Sequence, residues 1–245
     1  MKGRILKITA FVREIFIYLP NGYDKSNKNY PVIYAHDGDK FIEFLGKIID
    51  EIEEGFENNV LEEHIIVGVT PIDRLNEYTP WPAKANHEKF HDFDGKGDDY
   101  LDFLIKDLQP YIEKEFKVKS NKSDRKIIGH SLGALISLYS AFRNNNYSKI
   151  ASMCASQWYI NWIQFIEKEN LINDDFKLLI IAGKKEGQGK STLQKDMPKF
   201  SKLSYEIFKN RIGEQNVDIV WDDYGHHENI LNRYKIALEF LLKRN

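Results

Sequence analysis

Cysteine is nearly missing from this chain. Cys154 is the one cysteine in 245 residues, which excludes an intramolecular disulfide and any metal site built from several thiolates. It stands in the apolar run Ile150-Ala151-Ser152-Met153-Cys154-Ala155, where a buried, structural thiol is expected. Long hydrophobic runs are missing too, and no stretch approaches the length of a membrane span. An excess of one charge sign is also missing. The formal net charge is -2 with both signs mixed, so no nucleic-acid partner held by bulk electrostatics is expected. Residues 1–7 open with basic side chains but carry neither the apolar core nor the small-residue cleavage site of a secretion signal. By elimination the expectation is a cytoplasmic protein without membrane association. Linkers rich in Pro, Gly and Ser and internal repeats are likewise absent, which leaves one domain over residues 1–245 as the simplest organisation.

What is present is an alternation of strand and helix patterns. Residues 4–10 and 13–19 carry β-branched and aromatic side chains and end at a Pro20-Asn21-Gly22 turn, which predicts an antiparallel edge pair. A strand entering at Tyr30-Pro31-Val32-Ile33 stops at Asp37-Gly38-Asp39, and helical spacing follows from 40 to about 54. Ile65-Ile66-Val67-Gly68-Val69 reads as a strand covered on both sides. Residues 71–97 show no periodicity, and a structureless loop of that length in a folded domain is usually functional. Helical spacing returns at 100–116. Beyond it the pattern predicts strands at 149–154, 176–183 and 217–221, with helices at 158–169, 191–211 and 229–243. Such an order predicts an α/β fold, a mostly parallel central sheet with helices on both faces, its chemistry gathered beyond the carboxyl ends of the strands.

One stretch organises the rest: Arg125-Lys126-Ile127-Ile128-Gly129-His130-Ser131-Leu132-Gly133-Ala134-Leu135-Ile136. It reads as an apolar strand, a Gly-x-Ser-x-Gly turn and a helix start, the plan of a nucleophile elbow with Ser131 at its apex. The Leu132 amide then lies at a helix N-terminus, suited to stabilise an oxyanion. A serine hydroxyl needs an adjacent base, and the base needs a partner that holds its tautomer. Trp221-Asp222-Asp223-Tyr224-Gly225-His226-His227 supplies two candidate bases after the last strand, His226 and His227. Glu186, three residues past the strand that ends at Gly183, is the candidate acid, with Asp222 or Asp223 as alternatives, or a Ser/His pair without an acid. The Asp39 amide, just past Gly38, is the candidate second oxyanion donor.

Four pieces of the chain resemble the putative-esterase branch of the α/β hydrolases, which includes esterase D-like enzymes and trilactone siderophore esterases. They are Tyr30-Pro31-Val32-Ile33-Tyr34-Ala35-His36-Asp37-Gly38, Arg74-Leu75-Asn76-Glu77-Tyr78-Thr79-Pro80-Trp81, Gly129-His130-Ser131-Leu132-Gly133 and Gly225-His226-His227-Glu228. The resemblance implies an α/β-hydrolase fold and a serine esterase. It selects His226, two residues before Glu228, as the base and Glu186 of Gly183-Lys184-Lys185-Glu186 as the acid. Where the family commonly has a Trp soon after the histidine, this chain has Asn232 and Tyr234 in that neighbourhood. Arg74, Tyr78, Trp81 and Trp158 are expected to line the substrate site, with a packed Ω-loop as the competing role for the first three.

Two other chemistries compete. Residues 183–192 hold Gly189-Lys190-Ser191 after a strand, but five residues separate Gly183 from that triplet where a phosphate-binding loop has four. His87-Glu88-Lys89-Phe90-His91 has the His-Glu-x-x-His spacing of a metal hydrolase, yet its flanks lack the helical pattern that would put both imidazoles on one face. A non-catalytic binding protein of the same fold is the remaining alternative. The expected activity is hydrolysis of a small-molecule ester through an acyl-enzyme, with no cofactor and no metal.

Overall fold

The computed structural model describes residues 1–85 and 91–244. Its elements in chain order are β1 (Arg4–Ala10), β2 (Arg13–Leu19), β3 (Val32–His36), α1 (Gly38–Glu57), β4 (Ile65–Val69), α2 (Arg74–Glu77), α3 (Gly97–Phe103), α4 (Gln109–Glu115), β5 (Arg125–His130) and α5 (Leu132–Arg143). There follow β6 (Lys149–Met153), α6 (Trp162–Lys168), β7 (Lys177–Gly183), α7 (Met197–Ile212), β8 (Val217–Asp222) and α8 (Ile230–Leu242). A π-helical turn over Leu104–Leu108 joins α3 to α4. The strands form one sheet in the order β1-β2-β4-β3-β5-β6-β7-β8. β1 and β2 pair antiparallel at one edge, β2 meets β4 antiparallel, and every other pairing is parallel.

Alternation along each strand separates two cores. Tyr34, Ile127, Ile150 and Leu178 point to the side covered by α3 to α7, while Ile33, Ile128, Ala151 and Leu179 point to the side covered by α1 and α8. On α1 the buried positions Phe41, Leu45, Ile48, Ile49, Ile52 and Phe56 recur at helical spacing. Each such apolar side chain contributes about 1.5–3 kcal/mol on burial, which offsets the entropy of ordering the helix. The α1 seam closes on α8, where the Tyr234 ring packs at 5.5 Å from Phe41 and 5.1 Å from Phe44.

Several boundaries differ from the sequence pattern, each for a local reason. α1 begins at Gly38 because the β3–α1 turn passes directly over β4: a Cβ at Gly38 would lie 2.4 Å from the Gly68 carbonyl carbon. α7 begins at Met197, not near 191, since Gly187 and Gly189 take φ of 76° and 77° and Pro198 sits in the helix's first turn. The segment 71–97 holds the short α2 and a bridge between Ala83 and Phe93. No helix among the described residues is long and apolar enough to cross a membrane.

Candidate active site

The turn between β5 and α5 forces Ser131 to φ 60°, ψ -120°, a conformation that costs a non-glycine residue on the order of 1–3 kcal/mol. Backbone hydrogen bonds hold it there. The Ser131 amide donates to the Met153 carbonyl at 3.0 Å, and the Ser131 carbonyl accepts from Ala134, Leu135 and Ser156, each at 3.1 Å. The flanking glycines are required to different degrees. A Cβ at Gly129 would stand 2.2 Å from the Gly133 backbone, whereas one at Gly133 would meet the His36 Cβ at 3.1 Å.

Two side chains from two other loops line up on that apex. Glu186, buried past the end of β7, accepts from the Gly183 amide at 2.8 Å with Oε1 and faces His226 Nδ1 at 2.8 Å with Oε2. His226 Nε2 lies 3.0 Å from Ser131 Oγ. A carboxylate can only accept, so Nδ1 carries the imidazole proton and the bare Nε2 accepts from the serine hydroxyl. Burial alone would raise the Glu186 carboxyl; hydrogen bonds from His226, the Gly183 amide and the Cys154 thiol overcome it and hold the carboxyl below its ordinary value. The carbonyl of His226 is pinned in turn by Arg233 Nη1 at 3.2 Å and by His130 Nε2 at 3.3 Å. Burial, then the neighbouring His226, keeps His130 well below the usual imidazole value, so it stands there as a neutral donor.

The alternative residues lie elsewhere. Asp222 is committed to a two-pronged pair with Arg233 at 2.7 and 2.6 Å, and exposed Asp223 pairs with Lys184 at 2.8 Å. His227 is exposed at the rim of the cleft. Glu228 closes the loop locally by accepting from the Gly225 amide at 2.6 Å.

Ser131 opens into a cleft of about 460 Å³ that Leu132, Arg74, Leu75, Ser156, Trp158 and His226 help to line. Its lining also includes the glycine-rich segment with Gly187, Gly189, Lys190, Ser191 and Thr192, the stretch whose spacing is one residue too long for a phosphate-binding loop. Phe93 and Trp158 also border a second cavity of about 830 Å³, and Trp81 lies in that one, its Nε1 donating to the Ile160 carbonyl at 3.1 Å. Tyr78 reaches neither cavity. It is fully buried and its hydroxyl accepts from the Asp37 amide at 2.9 Å, which places it in the packing of the β3–α1 turn and away from the cleft. Arg74 lines the cleft while its guanidinium grips Asp37 at 2.6 and 2.9 Å. Asp39 is exposed on the first turn of α1 and does not line the cleft, because the helix starts two residues earlier than the sequence pattern implies.

For a metal, His87 of the His87/His91 spacing lies outside the described residues, and His91 is exposed with Nδ1 at 2.7 Å from the Asp92 carbonyl. Among the described residues His130, Cys154 and His226 place ligating atoms within 4.8 Å of one another. All three are already engaged, with the His226 carbonyl, with Glu186, and with Glu186 and Ser131 respectively.

Cys154 as a neighbour of Glu186, the Arg233–Asp222 anchor and Ser156 are not legible in the sequence. None carries a local motif. The fold and this constellation define an α/β hydrolase with a serine, a histidine and a glutamate in one hydrogen-bonded line. Residues 10–216 match the family described as "Putative esterase", and the chain belongs to it: it is a carboxylic ester hydrolase. It is 30% identical over 249 residues to the uncharacterized protein YbbA of Bacillus subtilis (strain 168), covering 100% of this chain and 98% of that one. Among solved structures it is similar to an IroE-like serine hydrolase from Shewanella oneidensis, with TM-score 0.77 and 19% identity over 98% of this chain and 80% of that one. It is also similar to the enterobactin and salmochelin hydrolase IroE, with TM-score 0.72 and 17% identity over 99% of this chain and 95% of that one. At these identities the two structures speak for the fold alone.

Proposed function

We propose that the ester is cleaved through an acyl-enzyme on Ser131. The carrying observation is the unbroken line from Glu186 Oε2 through His226 to Ser131 Oγ, with steps of 2.8 and 3.0 Å. His226 Nε2 takes the Ser131 proton as Oγ attacks the carbonyl carbon, then returns it to the departing alcohol as the ester C–O bond breaks. Glu186 holds the imidazole in the required tautomer and stabilises its cationic form. Water, deprotonated by the same imidazole, frees the acid and restores Ser131. The Leu132 amide at the start of α5 has no acceptor within the helix and is the first oxyanion donor. The candidate for the second is the Arg74–Leu75 segment, which lines the cleft where Asp39 does not.

A small-molecule ester fits the 460 Å³ cleft, and no cofactor is required by these steps. Fluorophosphonate labelling tests the reading. One adduct at Ser131 is expected on the wild type and none on Ser131→Ala, whose esterase activity falls by at least about 10⁴-fold. Activity that survives Ser131→Ala and vanishes with a chelator overturns it.

A further inference from the structure

We propose that Ser156 is a second catalytic hydroxyl that donates a hydrogen bond to the reacting oxygen of Ser131. Its Oγ lies 3.2 Å from Ser131 Oγ, and the residue is 2% exposed while still lining the cleft. The direction of the bond follows from counting protons. Nδ1 of His226 faces a carboxylate, so it carries the ring proton and leaves Nε2 as an acceptor. Ser131 has one hydroxyl proton, and Nε2 at 3.0 Å takes it. Toward Ser156, then, Ser131 Oγ can only accept, and the proton between the two serines belongs to Ser156. Among the described residues the Ser156 hydroxyl has no other hydrogen-bond partner.

The backbone keeps this donor in place. Just past β6, Cys154 turns at φ 49° with its amide on the Ile181 carbonyl at 2.7 Å, and the Ser156 amide donates to the Ser131 carbonyl at 3.1 Å. The same residue therefore braces the strained elbow through its main chain and reaches the nucleophile through its side chain. Chemically, negative charge grows on Ser131 Oγ twice: when its proton leaves for His226 during attack, and when it departs from the acyl carbon during deacylation. A neutral donor already aimed at that oxygen stabilises both moments and interacts less with the ester oxygen of the intermediate between them. It also occupies one lone pair of Oγ, directing another to the cleft.

This role rests on the acyl-enzyme reading of Ser131, and the experiment separates the two. The readout is the rate constant for fluorophosphonate labelling of the full chain, which counts only folded sites, together with kcat and KM on a neutral p-nitrophenyl ester. Ser156→Ala keeps the main-chain brace and removes only the hydroxyl, and is expected to slow labelling and kcat by about 5- to 30-fold with KM within about twofold. Ser156→Thr, which restores a hydroxyl, is expected to recover most of that loss. A structural role would move thermal stability in both variants without this recovery. Unchanged labelling in Ser156→Ala, or a Thr variant no faster than the Ala variant, overturns the role of Ser156 while leaving Ser131 as nucleophile. Absence of labelling at Ser131 in the wild type removes the reading beneath it.

Discussion

The two ends of the central sheet both bury ionisable side chains, and they treat them in opposite ways. At the carboxyl end buried and half-buried acids have partners of opposite or titratable character, among them Asp37 with Arg74 at 2.6 Å, Asp222 with Arg233 at 2.6 Å and Glu186 with His226 at 2.8 Å. At the amino end Lys126 and Lys149 sit side by side on β5 and β6, 2% and 3% exposed, and among the described residues neither has a carboxylate within ion-pair distance. Lys126 leans on the bare Nε2 of buried His64, whose Nδ1 donates to the Glu62 carbonyl at 2.7 Å. Lys149 donates to the carbonyls of Phe240 and Lys243 at 3.4 and 2.7 Å, where α8 ends. Helices that return antiparallel to the strands bring their carbonyl ends to this side of the sheet, and the negative end of a helix favours a cation. Burial, then repulsion from Lys149, pushes Lys126 down to about 8; burial, then Lys177, does the same to Lys149, also to about 8. Perturbed titration therefore occurs at both ends. Only the end that opens Ser131 to a cleft has chemistry to do with it, so geometry and not pKa marks the site.

That contrast can be broken by exchanging what each end needs. The largest effect is expected for Glu186→Gln, where an amide can present N–H to Nδ1 and favour the wrong imidazole tautomer. The expected loss in kcat is about 10³- to 10⁴-fold with folding intact, and circular dichroism alongside a kinetic assay checks it. Next is Asp222→Asn, which strands the buried Arg233 guanidinium without its counter-charge. A destabilisation of about 3–5 kcal/mol in urea is expected, with a smaller fall in kcat because Arg233 can still donate to the His226 carbonyl. The smallest effect belongs to the amino end. Between the folded value near 8 and the ordinary lysine value of 10.5 the unfolded chain binds more protons than the folded one, so stability rises with pH in that window. Below about 8 both states hold the proton and the slope disappears. Urea midpoints of wild type and Lys126→Met at pH 7.5 to 9.5 should show the wild-type slope reduced in the variant, with activity at neutral pH nearly unchanged.

The parts of the site that were legible in the sequence are those written locally. An elbow is a strand, a tight turn and a helix within twelve residues, and Gly129 is demanded by the 2.2 Å approach of Gly133 that any such turn creates. Glu186 and His226 could be found because each follows a strand end by a few residues. For Tyr78 the packed-loop alternative matches its position, because the Glu77-Tyr78-Thr79 part of the distinctive string makes internal contacts. Glu77 pairs with buried Arg13 at 2.7 Å in both prongs, Tyr78 supports Asp37, and the Thr79 hydroxyl donates to the Leu75 carbonyl at 2.7 Å. Asp39 stands off the cleft because the helix starts two residues earlier than the spacing implies, and each residue turns a side chain or amide through about 100°.

By itself the sequence determined the α/β order of elements, the mixed sheet with its antiparallel edge, and a serine on a bend that only glycine at 129 permits. Short-range sterics and hydrophobic periodicity act within a dozen residues and are therefore written in the string. The tertiary structure decided which of two histidines meets that serine and which of three acids meets the histidine, that Trp81 lines a neighbouring cavity, and that Ser156 touches the same oxygen as His226. Those outcomes depend on how far crossovers carry chain segments 25, 40 and 95 positions apart before a loop ends, with distances of a few ångströms set by packing of the whole sheet.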